Sequence, residues 1–235
     1  DGYAALVADC RALTAGLADA GVGVAPHSLR AVTPEQLQAL LVMAGQGPIH
    51  IHVAEQTKEV EDCLAWSGAR PVEWLLANAP VDPRWCLIHA THVAEAEWRG
   101  VAARGSVVGL CPITEANLGD GIFPAAAYHR ADGRFGVGTD SNVQIGLADE
   151  LRMLEYSQRL RDIARNVMVP AEGSVGQFLY VGAARGGAQA LGRNAGQIAV
   201  GTLADLTAID LSHPSLCALH PDHILDGLAF AAPDT

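Results

Sequence analysis

The chain has 235 residues, of which 50% are hydrophobic and 17% are charged, and this composition excludes a disordered protein. Its formal net charge of −11 argues against a nucleic-acid-binding protein, because such proteins bind phosphates mainly through cationic side chains. No apolar run reaches the roughly 18 residues that a membrane helix needs, and the first residues show no basic, apolar targeting segment. The 5 cysteines are scattered without a Cys-x-x-Cys motif, so we expect reduced thiols in a cytoplasmic protein.

The first part of the chain predicts a helix, a strand and a second helix. Apolar residues at three- and four-residue spacing predict a helix over 3–20. A short buried strand is predicted over 22–26. Thr33 can cap the next helix and Gln36 occupies the capping-box position, so a helix is predicted over 34–44.

The same alternation continues along the chain. Further strands are predicted over 48–53, 85–89, 107–111 and 135–138. Helices are predicted over 58–66, 72–77, 94–104, 147–167 and 175–191, with a helical turn over 125–128. This order predicts an α/β protein in which five parallel strands are joined by crossovers. Residues 198–211 alternate in a β pattern and predict part of a different, smaller β layer.

Side chains that can bind metals or transfer protons follow most of the predicted strands. In a parallel α/β barrel, catalytic groups lie where the strands reach the carboxyl-terminal face. The residues in such positions are His27, Arg30, His50, His52, Glu55, His89, His92, Glu115, Asn117 and Asp140. Their recurrence after four or five strands is stronger evidence for one site than any single residue.

The strongest local motif is His50-Ile51-His52-Val53-Ala54-Glu55. Strand alternation places His50 and His52 on one face, and neutral imidazole nitrogens suit Zn²⁺. Glu55, three residues after His52, can accept the proton of a water that the metal acidifies, without ligating the metal. The alternative is structural: His50 packs inside a barrel and His52 caps the strand, and taken alone the motif does not decide between them.

Two further strand ends support the metal hypothesis. Asp140 follows an apolar strand, where it is either a turn residue that bonds its own backbone or a second metal ligand. His89 ends another strand, where it is either a hydrogen-bonded core residue or a site residue facing the same edge. His92 lies three residues beyond it and is the weaker candidate.

Arg30 and Lys58 bear on the ligands of the site. Arg30 follows the first predicted strand, and a guanidinium can bind a carboxylate in a bidentate manner. The alternative is a surface ion pair between Arg30 and Glu35. Lys58 is the chain's sole lysine and lies outside the predicted strands, so no carbamylated lysine can bridge two metals there. The pattern favours a single metal ion.

Together with the segment Gly-Gln-Ile-Ala-Val-Gly-Thr-Leu-Ala-Asp-Leu at 196–206, these residues resemble the amidohydrolase superfamily of metal-dependent deaminases. The resemblance covers nearly the whole chain and implies a (β/α)8 TIM-like hydrolase barrel. It implies that His52 is a zinc ligand and Glu55 a proton shuttle. It also implies that His89 polarises the substrate, and that Asp140 binds zinc and accepts a proton from the water.

Within the superfamily, the similarity is greatest to members that hydrolyse the formimino group of N-formimino-L-glutamate. The most specific stretch is Thr-Glu-Ala-Asn-Leu-Gly-Asp-Gly-Ile-Phe-Pro at 114–124. The resemblance implies that His27 and Arg30 bind the carboxylates of this small dicarboxylate substrate, in a pathway of histidine degradation. The expected products are N-formyl-L-glutamate and ammonia, and a homodimer is compatible with the resemblance.

The resemblance also implies that this chain is part of a longer protein. The histidine pair expected on the first barrel strand is absent, because His50 and His52 fit the fifth-strand pattern. We therefore expect residues 1–192 to be the carboxyl-terminal part of a barrel, about strands 4–8, and 193–235 to begin the return to a small β-sandwich. The expected cofactor is one zinc ion, with two further histidine ligands from a segment outside this chain.

Two alternative functions remain open. One is a superfamily deaminase that acts on a purine or pyrimidine ring, against which Arg30 and the 114–124 stretch argue. The other is a non-catalytic barrel that serves as an interaction scaffold. The presence of four candidate site residues argues against a scaffold: His52, Glu55, His89 and Asp140.

Overall fold

A parallel sheet forms the centre of the computed structural model, which describes residues 2–142 and 144–231. Its strands are β1 (Ile49–Val53), β2 (Trp85–His89), β3 (Val107–Leu110) and β4 (Arg134–Val137). They are hydrogen-bonded in the order β1-β2-β3-β4, and all pairings are parallel. The prediction of a parallel α/β protein is confirmed.

Helices connect the strands and follow them. Those in the described part of the chain are α1 (Gly2–Thr14), α2 (Pro34–Ala44), α3 (Thr57–Ser67), α4 (Pro71–Asn78), α5 (Glu95–Ala103), α6 (Pro112–Leu118), α7 (Ala125–Arg130), α8 (Leu147–Asp162), α9 (Val175–Ala190) and α10 (Ile224–Phe230). The capping box predicted for α2 is present. The Thr33 hydroxyl accepts a hydrogen bond from the Gln36 backbone N–H at 3.2 Å, and the Gln36 side chain accepts one from the Thr33 N–H at 2.9 Å.

The two faces of β1 differ in what they contact. Ile49, Ile51 and Val53 are buried in the main hydrophobic core, which includes residues of the surrounding helices. His50 and His52 point to the other face, where a small separate cluster contains Cys86, Val107 and Ala190. Strand alternation therefore places both histidines on the side of the sheet away from the main core.

The strand predicted over 22–26 is absent as a continuous element, so the sheet of the described residues has four strands instead of five. The segment still runs parallel to β1, with isolated bridges at Val24 and Ser28. Val24 accepts a hydrogen bond from the His50 N–H at 3.0 Å. Pro26 has no N–H to donate, so the ladder is interrupted between the two bridges.

Two helices end earlier than predicted. Helix α1 ends at Thr14, whose hydroxyl donates to the carbonyl of Cys10 at 2.8 Å, rather than at residue 20. Gly16 follows, and glycine is unfavourable within a helix.

Helix α8 ends at Asp162, where the prediction placed its end at residue 167. The next residue, Ile163, has a left-handed backbone with φ of 51°. The buried carboxylate of Glu155 accepts hydrogen bonds from the N–H groups of Val167 and Met168 at 2.9 and 2.8 Å. These hydrogen bonds fold the segment after Asp162 back against α8, so α8 does not continue to residue 167.

The β layer predicted over 198–211 is not formed in this structure, because these residues lie in no strand. The apolar residues Ile198, Val200 and Leu206 are all exposed. The described residues therefore provide no surface on which such a layer could bury its apolar side. None of the helices described here is both long and apolar enough to cross a membrane.

Candidate active site

The parallel pairing of the strands brings several predicted site residues to one edge of the sheet. Val53 at the end of β1 pairs with His89 at the end of β2, and Leu110 pairs with Val137 at the ends of β3 and β4. The rings of His52 and His89 have centroids 5.6 Å apart. The predicted convergence of groups from different strands is therefore present in the structure.

His52 has one ring nitrogen held by the backbone, and its other ring nitrogen has no hydrogen-bond partner among the described residues. Its Nδ1 atom lies 2.8 Å from the carbonyl oxygen of His27. A carbonyl oxygen can only accept, so Nδ1 carries the proton and Nε2 carries the lone pair. Histidines that bind metals almost always donate their other ring N–H in this way. The ring of His27 lies beside it, with centroids 4.9 Å apart.

His89 is buried and lies among three carboxylates. Its Nδ1 atom is 3.3 Å from Oε1 of Glu115, and its Nε2 atom is 3.7 Å from Oε1 of Glu55 and 4.0 Å from Oδ2 of Asp140. Burial by itself lowers the pKa of His89. The hydrogen bond to Glu115 and the charges of Glu115, Glu55 and Asp140 outweigh burial, so the pKa of His89 lies above its ordinary value.

Arg30 lies next to the predicted proton shuttle. Its Nη2 atom is 3.5 Å from Oε2 of Glu55 and 4.0 Å from Oε2 of Glu59. The same oxygen of Glu59 accepts a hydrogen bond from the backbone N–H of Glu55 at 3.0 Å. Among the described residues, the ion pairs of Arg30 are these two, and the alternative pair with Glu35 is not formed. The Arg30 side chain keeps 41% of its surface exposed, so a ligand can reach it.

The backbone at this edge has an unusual conformation. Positive φ angles occur at Ala54 (51°), His89 (66°), Ala90 (49°) and Asp140 (49°). Each of these residues lies at or just beyond the end of a strand. Left-handed conformations are uncommon for residues other than glycine and often occur at functional sites.

The other histidine candidates are held away from this group. Nε2 of His50 is 2.7 Å from the carbonyl oxygen of Ala190, at the end of α9. Nε2 of His92 is 2.7 Å from the carbonyl oxygen of Asp120. For His50, the structural alternative given by the sequence agrees with this contact.

Two buried glutamates lie next to the candidate site, and neither was assigned a chemical role from the sequence. Glu115, to which the sequence assigned no chemistry, bonds to His89 and also accepts a hydrogen bond from the N–H of Cys111 at 3.0 Å. Glu150 accepts one from the N–H of Ile113 at 3.0 Å, and burial raises its pKa to about 7. The available signal for Glu115 was its place in the 114–124 stretch, five residues after the end of β3, and Glu150 lies in α8. Asn117, by contrast, is exposed.

The donors present fit part of a zinc site. An imidazole nitrogen with a carbonyl behind its other N–H, as at His52, and a carboxylate, as at Asp140, are ligands that zinc takes in proteins. Within residues 2–142 and 144–231, no group of three or more His, Cys, Asp or Glu side chains is arranged to hold a metal ion. A catalytic zinc needs about three protein ligands, so these two residues supply only a part of the set.

Comparison with known proteins gives a consistent family assignment. The amidohydrolase family model matches residues 3–234. A formimidoylglutamate deiminase from Pseudomonas aeruginosa is 50% identical over 91% of this chain and 48% of its own length. A 5-methylthioadenosine/S-adenosylhomocysteine deaminase from Natronomonas pharaonis is 34% identical over 92% of this chain and 50% of its own length. The chain thus spans about half the length of these curated relatives.

Solved structures agree with this assignment. An amidohydrolase from Brucella melitensis matches 98% of this chain and 51% of its own, with 52% identity and a TM-score of 0.92. An adenosine deaminase from Xanthomonas campestris with bound zinc matches 96% of this chain and 52% of its own, with 30% identity and a TM-score of 0.84. This chain therefore belongs to the amidohydrolase family, whose fold is of the TIM-barrel type and whose members are hydrolases.

Proposed function

We propose that the protein containing this chain hydrolyses N-formimino-L-glutamate to N-formyl-L-glutamate and ammonia, with one zinc ion as cofactor. The observation that carries this proposal is the 50% identity to the Pseudomonas aeruginosa formimidoylglutamate deiminase over 91% of the chain. The 5-methylthioadenosine/S-adenosylhomocysteine deaminase from Natronomonas pharaonis is 34% identical. The proposed activity is that of the whole protein. This chain matches 48% of the length of the Pseudomonas aeruginosa relative.

His52 and Asp140 would hold the zinc ion, together with two histidines from outside this chain. When bound, zinc supplies Lewis acidity and makes a water molecule acidic near neutral pH. The free Nε2 of His52 and the partly exposed carboxylate of Asp140 support these roles. Residues 1–192 would then be the carboxyl-terminal part of the barrel. Residues 193–235, of which 232–235 lie outside the described residues, would lead to the small β-sandwich.

Proton transfer would be carried out by Glu55, His89 and Asp140. Oε1 of Glu55 lies 3.7 Å from Nε2 of His89, and Oδ2 of Asp140 lies 4.0 Å from the same nitrogen. With the formimino group protonated, Glu55 would accept one proton from the attacking water and deliver it to the departing nitrogen, which leaves as ammonia. Asp140 would accept the second proton of the water as the carbonyl of the product forms. His89 would donate through Nε2 to the group under attack in its doubly protonated form, which its raised pKa favours. This kind of acid–base catalysis contributes roughly 10²–10⁴ in rate.

Substrate recognition would combine two charges of opposite sign. A protonated formimino group is cationic and suits a site lined by the carboxylates of Glu55 and Asp140. Arg30 and His27 would bind the carboxylates of the substrate at the rim. Because Arg30 is 3.5 Å from Glu55, a bound carboxylate would compete for the guanidinium and leave Glu55 freer to accept a proton.

A substrate panel tests this proposal. The full-length protein with zinc is assayed for ammonia release from N-formimino-L-glutamate and from adenosine, 5-methylthioadenosine, guanine and cytosine. We expect release from N-formimino-L-glutamate alone. Release from a purine or pyrimidine but not from N-formimino-L-glutamate would overturn the proposal in favour of a ring deaminase. A folded protein that binds no zinc and releases no ammonia would favour a non-catalytic scaffold.

A further inference from the structure

Glu115 has no direct role in the proposed proton transfers. It lies on α6 and is buried, with an exposed fraction of 5%. Its Oε1 atom accepts a hydrogen bond from the N–H of Cys111 at 3.0 Å and lies 3.3 Å from Nδ1 of His89. The side chain is thus fixed at the start of its own helix and directed at the histidine.

This contact determines which nitrogen of His89 faces the site. An ionised carboxylate can only accept hydrogen bonds, so the contact requires a hydrogen on Nδ1. Nε2 is then the nitrogen that faces Glu55 and Asp140, at 3.7 and 4.0 Å. A neutral histidine without such a partner can hold its proton on either nitrogen.

We propose that Glu115 is a positioning residue that holds the ring of His89 in one orientation, with the hydrogen on Nδ1 and with Nε2 facing the reacting group. The proposal rests on the proposed hydrolytic function of His89. Glu115 touches neither the substrate nor the metal ligands in this account, and acts through His89 alone.

The surroundings of His89 explain why a positioning partner is needed. In the part of the chain that the structure describes, Glu115 is the one side chain within hydrogen-bond distance of the His89 ring. A rotation of the ring by 180° would exchange Nδ1 and Cδ2 and move Nε2 away from its present direction. Because both partners are buried, water cannot readily replace the carboxylate in this contact.

Glu150 provides a matched control, because it contacts the same helix that carries Glu115. Glu150 is also buried and ionisable. Its Oε2 atom accepts a hydrogen bond at 3.0 Å from the N–H of Ile113, the second residue of α6, which also carries Glu115. It makes no hydrogen bond to His89. Replacing Glu150 therefore disturbs the same region of the fold without touching the proposed contact.

The experiment compares Glu115→Leu, Glu115→Gln and Glu150→Gln in the full-length zinc-loaded protein. Histidine is labelled with ¹⁵N, the signal of His89 is assigned with His89→Asn, and the tautomer is determined by NMR at alkaline pH. We expect the Nδ1–H form in the wild type and in Glu115→Gln, because the amide oxygen can still accept. We expect a mixture of tautomers in Glu115→Leu, with unchanged zinc content.

The kinetic readout separates positioning from general stability. In Glu115→Leu we expect kcat to fall about 100-fold while KM changes less than about 3-fold. Glu115→Gln should recover most of the lost kcat, and Glu150→Gln should leave both the tautomer and kcat near the wild-type values. An equal loss of kcat in Glu150→Gln would overturn the proposal.

The wild-type spectrum alone can also overturn the proposal. An Nε2–H tautomer of neutral His89 would exclude the hydrogen bond to Glu115, whether or not the variants fold. If the tautomer shifts in Glu115→Leu while N-formimino-L-glutamate is not hydrolysed even by the wild type, the positioning role stands and the proposed function fails.

Discussion

The inner and outer parts of the active-site edge are built differently. In the inner part, at the ends of β2 and β3, His89, Glu115 and Glu150 are almost completely buried and bond to one another or to backbone N–H groups. In the outer part, beside β1 and three residues beyond β4, Arg30 and Asp140 keep 41% and 33% of their side-chain surface exposed.

This difference suggests that the inner residues orient side chains of the site, whereas the outer residues bind the metal ion or the substrate. The inner residues are enclosed by protein and are each held by a hydrogen bond, so they hold a geometry but have little exposed surface for a ligand. Oε1 of Glu150 has no hydrogen-bond partner among the described residues. The outer residues each keep one group available: His52 has a free Nε2, and Arg30 has a guanidinium at the long distance of 3.5 Å from Glu55. Substitutions in the outer part should therefore change metal or substrate binding, and those in the inner part should change rate or stability. Glu55 lies between the two parts.

The largest effect is expected for Glu55→Gln. The glutamine has nearly the same shape but cannot accept and deliver a proton as a carboxylate does. We expect kcat of the full-length protein to fall roughly 10²–10⁴-fold while zinc content stays unchanged. Metal analysis and turnover on the same preparation test this. A variant that loses zinc would place Glu55 among the ligands, and a fully active one would remove it from the mechanism.

A smaller effect is expected for Arg30→Met, which keeps the length of the side chain but removes its charge. Loss of a charge-assisted pair with a substrate carboxylate should weaken binding by about 1.5–3 kcal/mol, or about 10- to 150-fold in KM. Arg99→Met, which changes an exposed arginine paired with Glu95, is the matched control and should leave KM unchanged. An equal loss for a substrate analogue without carboxylates would show that Arg30 is structural.

The inner part should respond to pH through Glu150. Burial raises the pKa of Glu150 from 4.5 to about 7, so the folded protein holds this proton more tightly than the unfolded chain. Stability contributed by this group therefore falls as pH rises from about 4.5 through about 7. Relative to the wild type, Glu150→Gln should gain about 1–3 kcal/mol between pH 5 and pH 8. Thermal unfolding at the two pH values measures this, and a difference that is independent of pH would contradict it.

The smallest effect on activity is expected for His50→Asn. The His50 ring makes a hydrogen bond with the carbonyl of Ala190 and does not join the group around His52 and His89. Loss of this hydrogen bond should lower the stability by about 1 kcal/mol. Zinc content and kcat should stay within about 3-fold of the wild type. His52→Asn, two residues along the same face of β1, should lose zinc. Zinc loss in both variants would show that the two histidines act as a ligand pair.

Much of the fold could be predicted because its determinants are local. The Thr33–Gln36 capping box, the alternation of β1 and the apolar run of β2 depend on residues close in sequence. The predicted strand over 22–26 was wrong because its pairing depends on whether each residue has an N–H to donate, and Pro26 has none. The β pattern over 198–211 needs an apolar surface to pack against, which the described residues do not provide.

The candidate site divides in the same way. The convergence of His52, His89 and Asp140 could be predicted because the carboxyl ends of parallel strands lie at one edge. The contact of Glu115 with His89 could not, because the two residues are 26 positions apart and their pairing depends on where α6 begins above the sheet. The positions of the strand ends therefore identify the candidate residues, whereas the contact between Glu115 and His89 comes from packing between elements.

The positive φ angles at the strand ends set a limit on how stable this protein can become. A left-handed backbone at a non-glycine residue costs on the order of 1–2 kcal/mol, and Ala54, His89, Ala90 and Asp140 all adopt it. Selection for heat resistance would favour glycine or asparagine at these positions. At His89 and Asp140 that change would remove a side chain that the proposed function requires, so we expect thermostable variants to accumulate their substitutions elsewhere and to retain these backbone conformations.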